Sequence, residues 1–417
     1  MQGWPVTSAP FVILHLLQLS SSSRRLFNVA TALEKLTTVA RDPRGYVEDW
    51  RARHPGRLVL GVLPMNFPRE LALAAGTLPV VVQDDQKPVT EGRSLLAEFY
   101  CGYTRNLADQ AATGRFGLYD AVLMADHCIQ LIGAADVVRA ILPDTPVFFG
   151  MLNSSMNDSW GPARVVAMMG EFRTELERLT GEPVTNQALG AAIAAHNRDR
   201  RMVRRLFDDR AAGSAVLSPV RLQDVVTSAM IMDPAEHAGL LAEALAGATA
   251  APPATAPPDH RVRVHLSGHL CHAPRRELLE AIEASGAVVV DDDLYHGRRH
   301  VSTDVEEGGD PLEAVARWYQ QRNVNIPCPT RVQQDADWDS WLLDAVRRSG
   351  AEAVIHLVPK FCEPHMLYYP ELRKALDEAG IPHLQIETEH EGIPLESFRT
   401  RIEALVERVR RTRAVPA

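Results

Sequence analysis

The chain has 417 residues, more than one ordinary hydrophobic core accommodates, so two or three domains are expected. It is 46% hydrophobic and 23% charged, the balance of a soluble globular protein. Its net charge of −9, with both signs interspersed, argues against a nucleic-acid partner, which would need a basic face. No segment reaches the ~20 apolar residues of a membrane span, so no membrane partner is expected either.

In chain order, the first apolar run is Pro10 to Leu19, ten residues long and interrupted by His15. No Lys or Arg precedes it and no Ala-x-Ala site follows it, so it does not read as a signal peptide. Residues 1–45 are taken as an N-terminal extension and helix; the first 25 carry no assigned function. Residues 46–160 read as an α/β lobe. RLVLGVLP (57–64), LPVVVQ (78–83), YDAVLMADHC (119–128) and TPVFFGML (145–152) are its strands, and PRELALAAG (68–76) is a short helix ending in Gly. From 161 to 246 the pattern is continuously helical. Residues 247–259 (GATAAPPATAPPD) form an Ala/Pro linker with little to bury.

Residues 260–417 form a C-terminal α/β lobe. Strands are expected at 261–268, 287–293, 351–359 and 381–387, and helices at 274–286, from Pro311, at 341–350, 368–380 and 394–412. Alternation of this kind implies βαβ units and mainly parallel sheets covered on both faces. The fold class is therefore α/β: two Rossmann-like lobes with a helical insertion between them.

Five cysteines, odd in number and widely spaced, do not make a disulfide framework and fit a reducing, cytoplasmic setting. Three of them stand where open α/β sheets bind ligands, just beyond strand ends. Cys128 ends a strand, Cys362 follows one by three residues in PKFCEP, and Cys101 opens CGYTRNL. Thiolates gathered from separate loops suit an iron–sulfur cluster better than structural zinc, which shows local Cys-x2-Cys pairs. Buried free thiols are the other reading. Cys271 follows a strand and could approach the same crevice, whereas Cys328, between two prolines, reads as a packed thiol. His265, His269 and His272 straddle a strand end and cannot share a helical face. Asp291, Asp292 and Asp293 could bind a cation or make a turn. No G-x-x-x-x-G-K-[ST], G-x-G-x-x-G, G-x-S-x-G or H-E-x-x-H motif is present.

These residues carry a resemblance. LVPKFCEPHMLYYPELRKALDEAGIPHLQIETEHEGIPLESFRTRIEAL (357–405) resembles the C-terminal signature of the benzoyl-CoA reductase and 2-hydroxyacyl-CoA dehydratase family. PMNFPRELALAAGTLPV (64–80), CGYTRNL and the Asp-x-Cys of DHC match as well. SGHLCHAPRRELLEAIEASGAVVVDDDLYHG looks closer to the benzoyl-CoA reductase branch. The resemblance implies a [4Fe-4S] cluster held by Cys101, Cys128 and Cys362 with one iron left open, and an acyl-CoA substrate. It also implies a paralogous second catalytic subunit and a separate ATP-hydrolysing iron–sulfur activator; ATP would act only through that partner, consistent with the missing P-loop. An open iron is a Lewis acid that would stabilise the ketyl radical anion of a reduced thioester. Glu70, at a strand-to-helix turn, is the proton-handling candidate, or else an acid favoured by the helix dipole. His127 is placed to hydrogen-bond a cluster sulfide or substrate, and Lys360 to tune potential. A double-cubane relative needs about six cysteines, more than this chain has. The expected function is an ATP-dependent benzoyl-CoA reductase subunit. A 2-hydroxyacyl-CoA dehydratase (lyase) subunit and a non-catalytic electron-relay subunit are the alternatives.

Overall fold

The short apolar runs become strands, buried on both faces except at the edge strands Val147–Gly150 and His383–Thr388, which are largely half-buried. In a computed structural model, which describes residues 32–248, 260–268, 271–334, 336–392 and 394–414, four form one sheet: β1 (Val59–Val62), β2 (Leu78–Val81), β3 (Ala121–Ala125) and β4 (Val147–Gly150). Four more form a second: β5 (Val262–Gly268), β6 (Ala287–Asp292), β7 (Ala353–Pro359) and β8 (His383–Thr388). The strand orders are β2-β1-β3-β4 and β6-β5-β7-β8, and every pairing within them is parallel. Each sheet thus reverses its winding beside its first strand, between β1 and β3 and between β5 and β7, where such folds open a crevice at the strand C-termini. Residues 1–31, positions 249–259 of the linker and His269 lie outside the described residues.

The helices, in order, are α1 (residues 32–41), α2 (Pro43–Arg53), α3 (Arg69–Ala74), α4 (Gly102–Ala112), α5 (Ile129–Ile141), α6 (Gly161–Thr180), α7 (Asn186–Ala211), α8 (Pro219–Ala229), α9 (Pro234–Ala248), α10 (Arg276–Ala284), α11 (Arg298–Val301), α12 (Pro311–Asn325), α13 (Trp338–Ser349), α14 (Glu363–Glu378) and α15 (Leu395–Ala414). Their ends follow local chemistry. Thr185 Oγ1 accepts the Ala188 N–H at the start of α7, and Gly181 and Gly350, both left-handed, close α6 and α13. One boundary departs from expectation. The Tyr-Pro pair predicts a helix from 368, but α14 begins at Glu363, because Pro364 fits a first helical turn; Pro370 then sits inside it.

The first core joins the first sheet to α6 and α7 through Leu60, Leu123, Phe172 and Phe207. It also takes in Tyr295, Val315 and Tyr319, so the segment after β6 packs on the N-terminal side of the molecule. The second sheet is covered on one face by α10 and α15, through Ile282, Ile402 and Val406, and on the other by Trp338, Leu342 and Leu376 of α13 and α14. Burial at this scale is the main favourable term in folding.

Candidate functional site

Three helices begin at cysteines. Cys101 is the N-cap of α4, Cys128 of α5 and Cys362 of α14, and in none does the side chain accept a capping hydrogen bond. All three line one cavity of about 570 Å³, together with Cys271, which follows β5. The convergence expected from the sequence is therefore present. The strands explain it, since β3 in the first sheet and the neighbouring β5 and β7 in the second each flank a winding reversal, and the turns after them carry Cys128, Cys271 and Cys362 to the same cavity. Cys101 is held from the side by the chain after β2.

One side chain that sequence reasoning missed links the three loops. Gln130, two residues into the turn that Cys128 opens, accepts the Cys101 N–H through Oε1 at 2.7 Å. Its Nε2 donates to the Phe361 carbonyl at 2.8 Å. Phe361 has φ +63°, a left-handed conformation that costs a non-glycine residue energy. No motif or periodicity marks a glutamine for such a task; only the distances do.

Burial pushes all four cavity thiols above their ordinary pKa. Cys128 reaches about 12, with Cys101 as the next contributor. Burial likewise raises Cys362, which Cys101 and Cys128 raise further. Cys271 is raised by burial and then by its four fellow cysteines. In Cys101, burial outweighs the opposing hydrogen bond of Thr104. These sulfurs can all be thiolates only when a cation stands among them. Cys328 lies just beyond the lining: it is buried, with Sγ 3.0 Å from Thr330 Oγ1, and it packs against the first core as expected. His365 Nδ1 approaches Cys362 Sγ at 3.1 Å.

His127 lines the cavity with its ring 3.5 Å from Thr330 Oγ1. Burial, followed by Arg331, Arg322 and Arg299, holds its pKa well below 6.5, so the imidazole is neutral. Glu70 and Lys360 are elsewhere. Glu70 is fully buried in a separate small cavity, paired with Arg200. Lys360 does not line the cysteine cavity; its Nζ lies 2.8 Å from Glu389 Oε1. The aspartate triplet is spent internally: Asp291 pairs with Arg298, Asp292 accepts two backbone N–H groups, and Asp293 accepts from Ser267, Gly268 and Trp338.

The mouth is apolar. Ile129 (66% exposed), Met151 (49%) and Leu367 (81%) stand on its rim. Among the described residues, no three His, Cys, Asp or Glu side chains come close enough to share a single metal ion, and no helix is long and apolar enough to cross a membrane.

Fold and site together define a two-lobed α/β protein with a cysteine-lined, apolar-mouthed crevice at the winding reversals. The chain belongs to the family described as 2-hydroxyglutaryl-CoA dehydratase, D-component, which it matches over residues 64–409. It is 26% identical to a benzoyl-CoA reductase subunit of Thauera aromatica over 80% of this chain and 86% of the relative. It is 23% identical to the (R)-phenyllactyl-CoA dehydratase beta subunit of Clostridium sporogenes, over 93% and 99%. With the (R)-2-hydroxyglutaryl-CoA dehydratase beta subunit of Acidaminococcus fermentans it shares 26% identity, over 91% and 99%. The relatives are thus reductase and dehydratase enzyme subunits.

Proposed function

We propose that the chain is the iron–sulfur catalytic subunit of an ATP-dependent benzoyl-CoA reductase-type enzyme, with Cys101, Cys128 and Cys362 holding a [4Fe-4S] cluster. The observation that carries this reading is the meeting of three cysteines, each at a helix N-terminus, in one cavity. The donor set fits. Ligands of a cluster bind different irons, and sulfurs brought from separate loops to one cavity can each reach a different one. A thiolate-ligated cluster is anionic, and three helix N-termini favour negative charge.

When bound, the cluster supplies low-potential electron transfer and a Lewis-acidic position. The protein's own residues do the rest. Ile129, Met151 and Leu367 give the thioester an apolar entrance and exclude water from the reacting carbonyl. Neutral His127 has a ring nitrogen on the cavity wall that can donate a hydrogen bond to a developing oxyanion. With no P-loop in the sequence, ATP-driven electrons arrive from a separate activator, and the enzyme is made complete by a paralogous subunit. The dehydratase alternative draws support from alignments that cover 99% of those relatives, against 86% of the reductase relative.

The test is anaerobic purification with iron and sulfide analysis and EPR, then turnover with activator, ATP and benzoyl-CoA. Electrons consumed in proportion to product support the reductase. A catalytic electron dose that suffices for many turnovers with a 2-hydroxyacyl-CoA supports the lyase. A protein that keeps its cluster but turns over neither thioester is a relay subunit, and one without iron refutes the proposal.

A further inference from the structure

Away from the cysteines, a cavity of about 30 Å³ lies where α3, α7, α11 and α12 meet. Its wall carries four arginines: Arg69 from α3, Arg200 from α7, Arg299 from α11 and Arg322 from α12, each more than nine-tenths buried. Two carboxylates, Glu70 and Asp199, face them, as do His196 and His300.

The partners are unevenly shared. Glu70 Oε1 pairs with Arg200 Nη2, and Arg200 Nη1 donates to Asn197 Oδ1 at 3.0 Å. Asp199 Oδ1 lies 2.6 Å from His237 Nδ1. Arg322 donates to the Met65 carbonyl, and Arg299 to the carbonyls of Asp293, Ile326 and Pro327. Those carbonyls carry no net charge. On this wall four buried nitrogens have no hydrogen-bond partner among the described residues: Arg69 Nε, Arg69 Nη2, Arg299 Nη2 and His196 Nε2, the last a donor in the Nε2–H tautomer. Glu70 Oε2 is the one buried acceptor left over on the wall. Burial, ahead of the neighbouring charges, holds His196 at about 3 and His300 well below 6.5, so both rings are neutral. Four guanidiniums against two carboxylates leave an excess of two positive charges in a buried place. Unpaired buried charge is among the costliest things a fold contains.

We propose that this cavity is an anion site that takes a single halide-class ion, bound by Arg69 Nε and Nη2, Arg299 Nη2 and His196 Nε2. Charge selects an anion over water alone. Size selects a monatomic one, since the space is about that of one or two waters and too small for a phosphate with its oxygens. Glu70 does not oppose this on balance, because Arg200 already matches its charge. The bound ion joins four helices that come from widely separated parts of the chain, and it ties the turn after β1 to the segment following β6. It is independent of the reading of the cysteine cavity.

The test uses the anaerobically purified full chain. Thermal and urea unfolding are measured in sodium chloride, sodium bromide and sodium gluconate at equal ionic strength. The expected result is a saturable stabilisation by both halides and none by gluconate. Beyond half-saturation, each tenfold rise in halide multiplies the folding constant about tenfold. Crystals grown in bromide should show an anomalous peak within reach of Arg69 and His196, and Arg69→Met should abolish both effects. If Arg69→Met fails to fold, Arg69→Lys, which keeps the charge but loses the fork, should weaken the halide response. No anomalous peak, together with equal unfolding in chloride and gluconate, overturns the proposal.

Discussion

Gln130 is the sharpest place to perturb the cysteine cavity without touching a cysteine. In Gln130→Leu the side-chain volume is nearly kept, but the buried Cys101 N–H and the Phe361 carbonyl both lose their partner. A buried polar group left unsatisfied costs about 1–3 kcal/mol, so the two together cost roughly 2–6 kcal/mol. The leucine recovers about 1–2 kcal/mol by burying apolar surface in place of an amide. The central expectation is a loss of about 2.5 kcal/mol in urea unfolding at pH 7. The damage is not evenly spread. Phe361 is held left-handed next to Cys362, and without the Gln130 donor its backbone is free to relax, moving Cys362 away from the other sulfurs. Iron retention during gel filtration should therefore fall further than global stability does. A Gln130→Leu protein within ~0.5 kcal/mol of the parent, with full iron, would refute the linking role.

In Gly102→Ala a Cβ would stand 2.4 Å from the Cβ of His390, which hydrogen bonds to Asp84 and to the Lys87 carbonyl hold in place. The substitution should cost about 1–3 kcal/mol, whereas Gly170→Ala, within α6 and with nothing near it, should gain roughly 0.5–1 kcal/mol, both read by thermal unfolding. Burial alone would raise the Glu70 carboxyl, yet Arg200 beside it wins and holds it at about 2. Its contribution is therefore complete above pH 4.5 and drains away as pH falls, so Glu70→Gln should cost about 3 kcal/mol at pH 7, and the gap to the parent should narrow in urea titrations below pH 4.5. His390 is raised above 6.5: burial pushes it down, but Asp84, at 2.9 Å, prevails. Stability from that pair is present below pH 6.5 and is lost as pH rises through the folded value, so the parent's melting temperature should decline above pH 6.5 while that of Asp84→Asn stays flat across the same window.

Much of the fold could be read directly. Most strands are runs rich in Val, Leu or Ile, with β4 (VFFG) and β8 (HLQIET) the exceptions, and each appears within two or three residues of its expected place. Periodicity failed where two local rules competed, as at α14, where Tyr-Pro looked like a helix start although Pro364 was the better one. The cysteine cavity was legible because strand ends are where parallel sheets gather ligands. What stayed hidden was long-range. Nothing local says that the segment from Tyr295 to Cys328 packs on the first core, that Gln130 spans two loops, or that Glu70 faces an arginine 130 residues away. Such facts are set by how layers stack, and a one-dimensional pattern contains them only implicitly.

The N-cap residues of α4, α5 and α14 are unusual for helices. Ser, Thr, Asp and Asn are favoured there because their side chains accept an otherwise orphaned N–H, and losing that bond costs about 1 kcal/mol. This chain forms such caps at Asp42, Thr185, Ser218 and Asp310, while α3, α6, α10, α11 and α13 begin without one at scattered places in the fold. At α4, α5 and α14 it places Cys instead, and no side-chain cap forms. Three helices thus forgo roughly 3 kcal/mol in total, all at one cavity. Local rules broken together without local gain mark a site kept for chemistry rather than for folding. The consequence is a pair of opposite signs. In the metal-free protein, Cys128→Ser should stabilise by about 0.5–1 kcal/mol, because the hydroxyl caps α5. In protein reconstituted with iron and sulfide, the same change should lower bound iron. A serine that leaves the iron-free fold no more stable and the iron content intact would show that these cysteines are ordinary packed thiols.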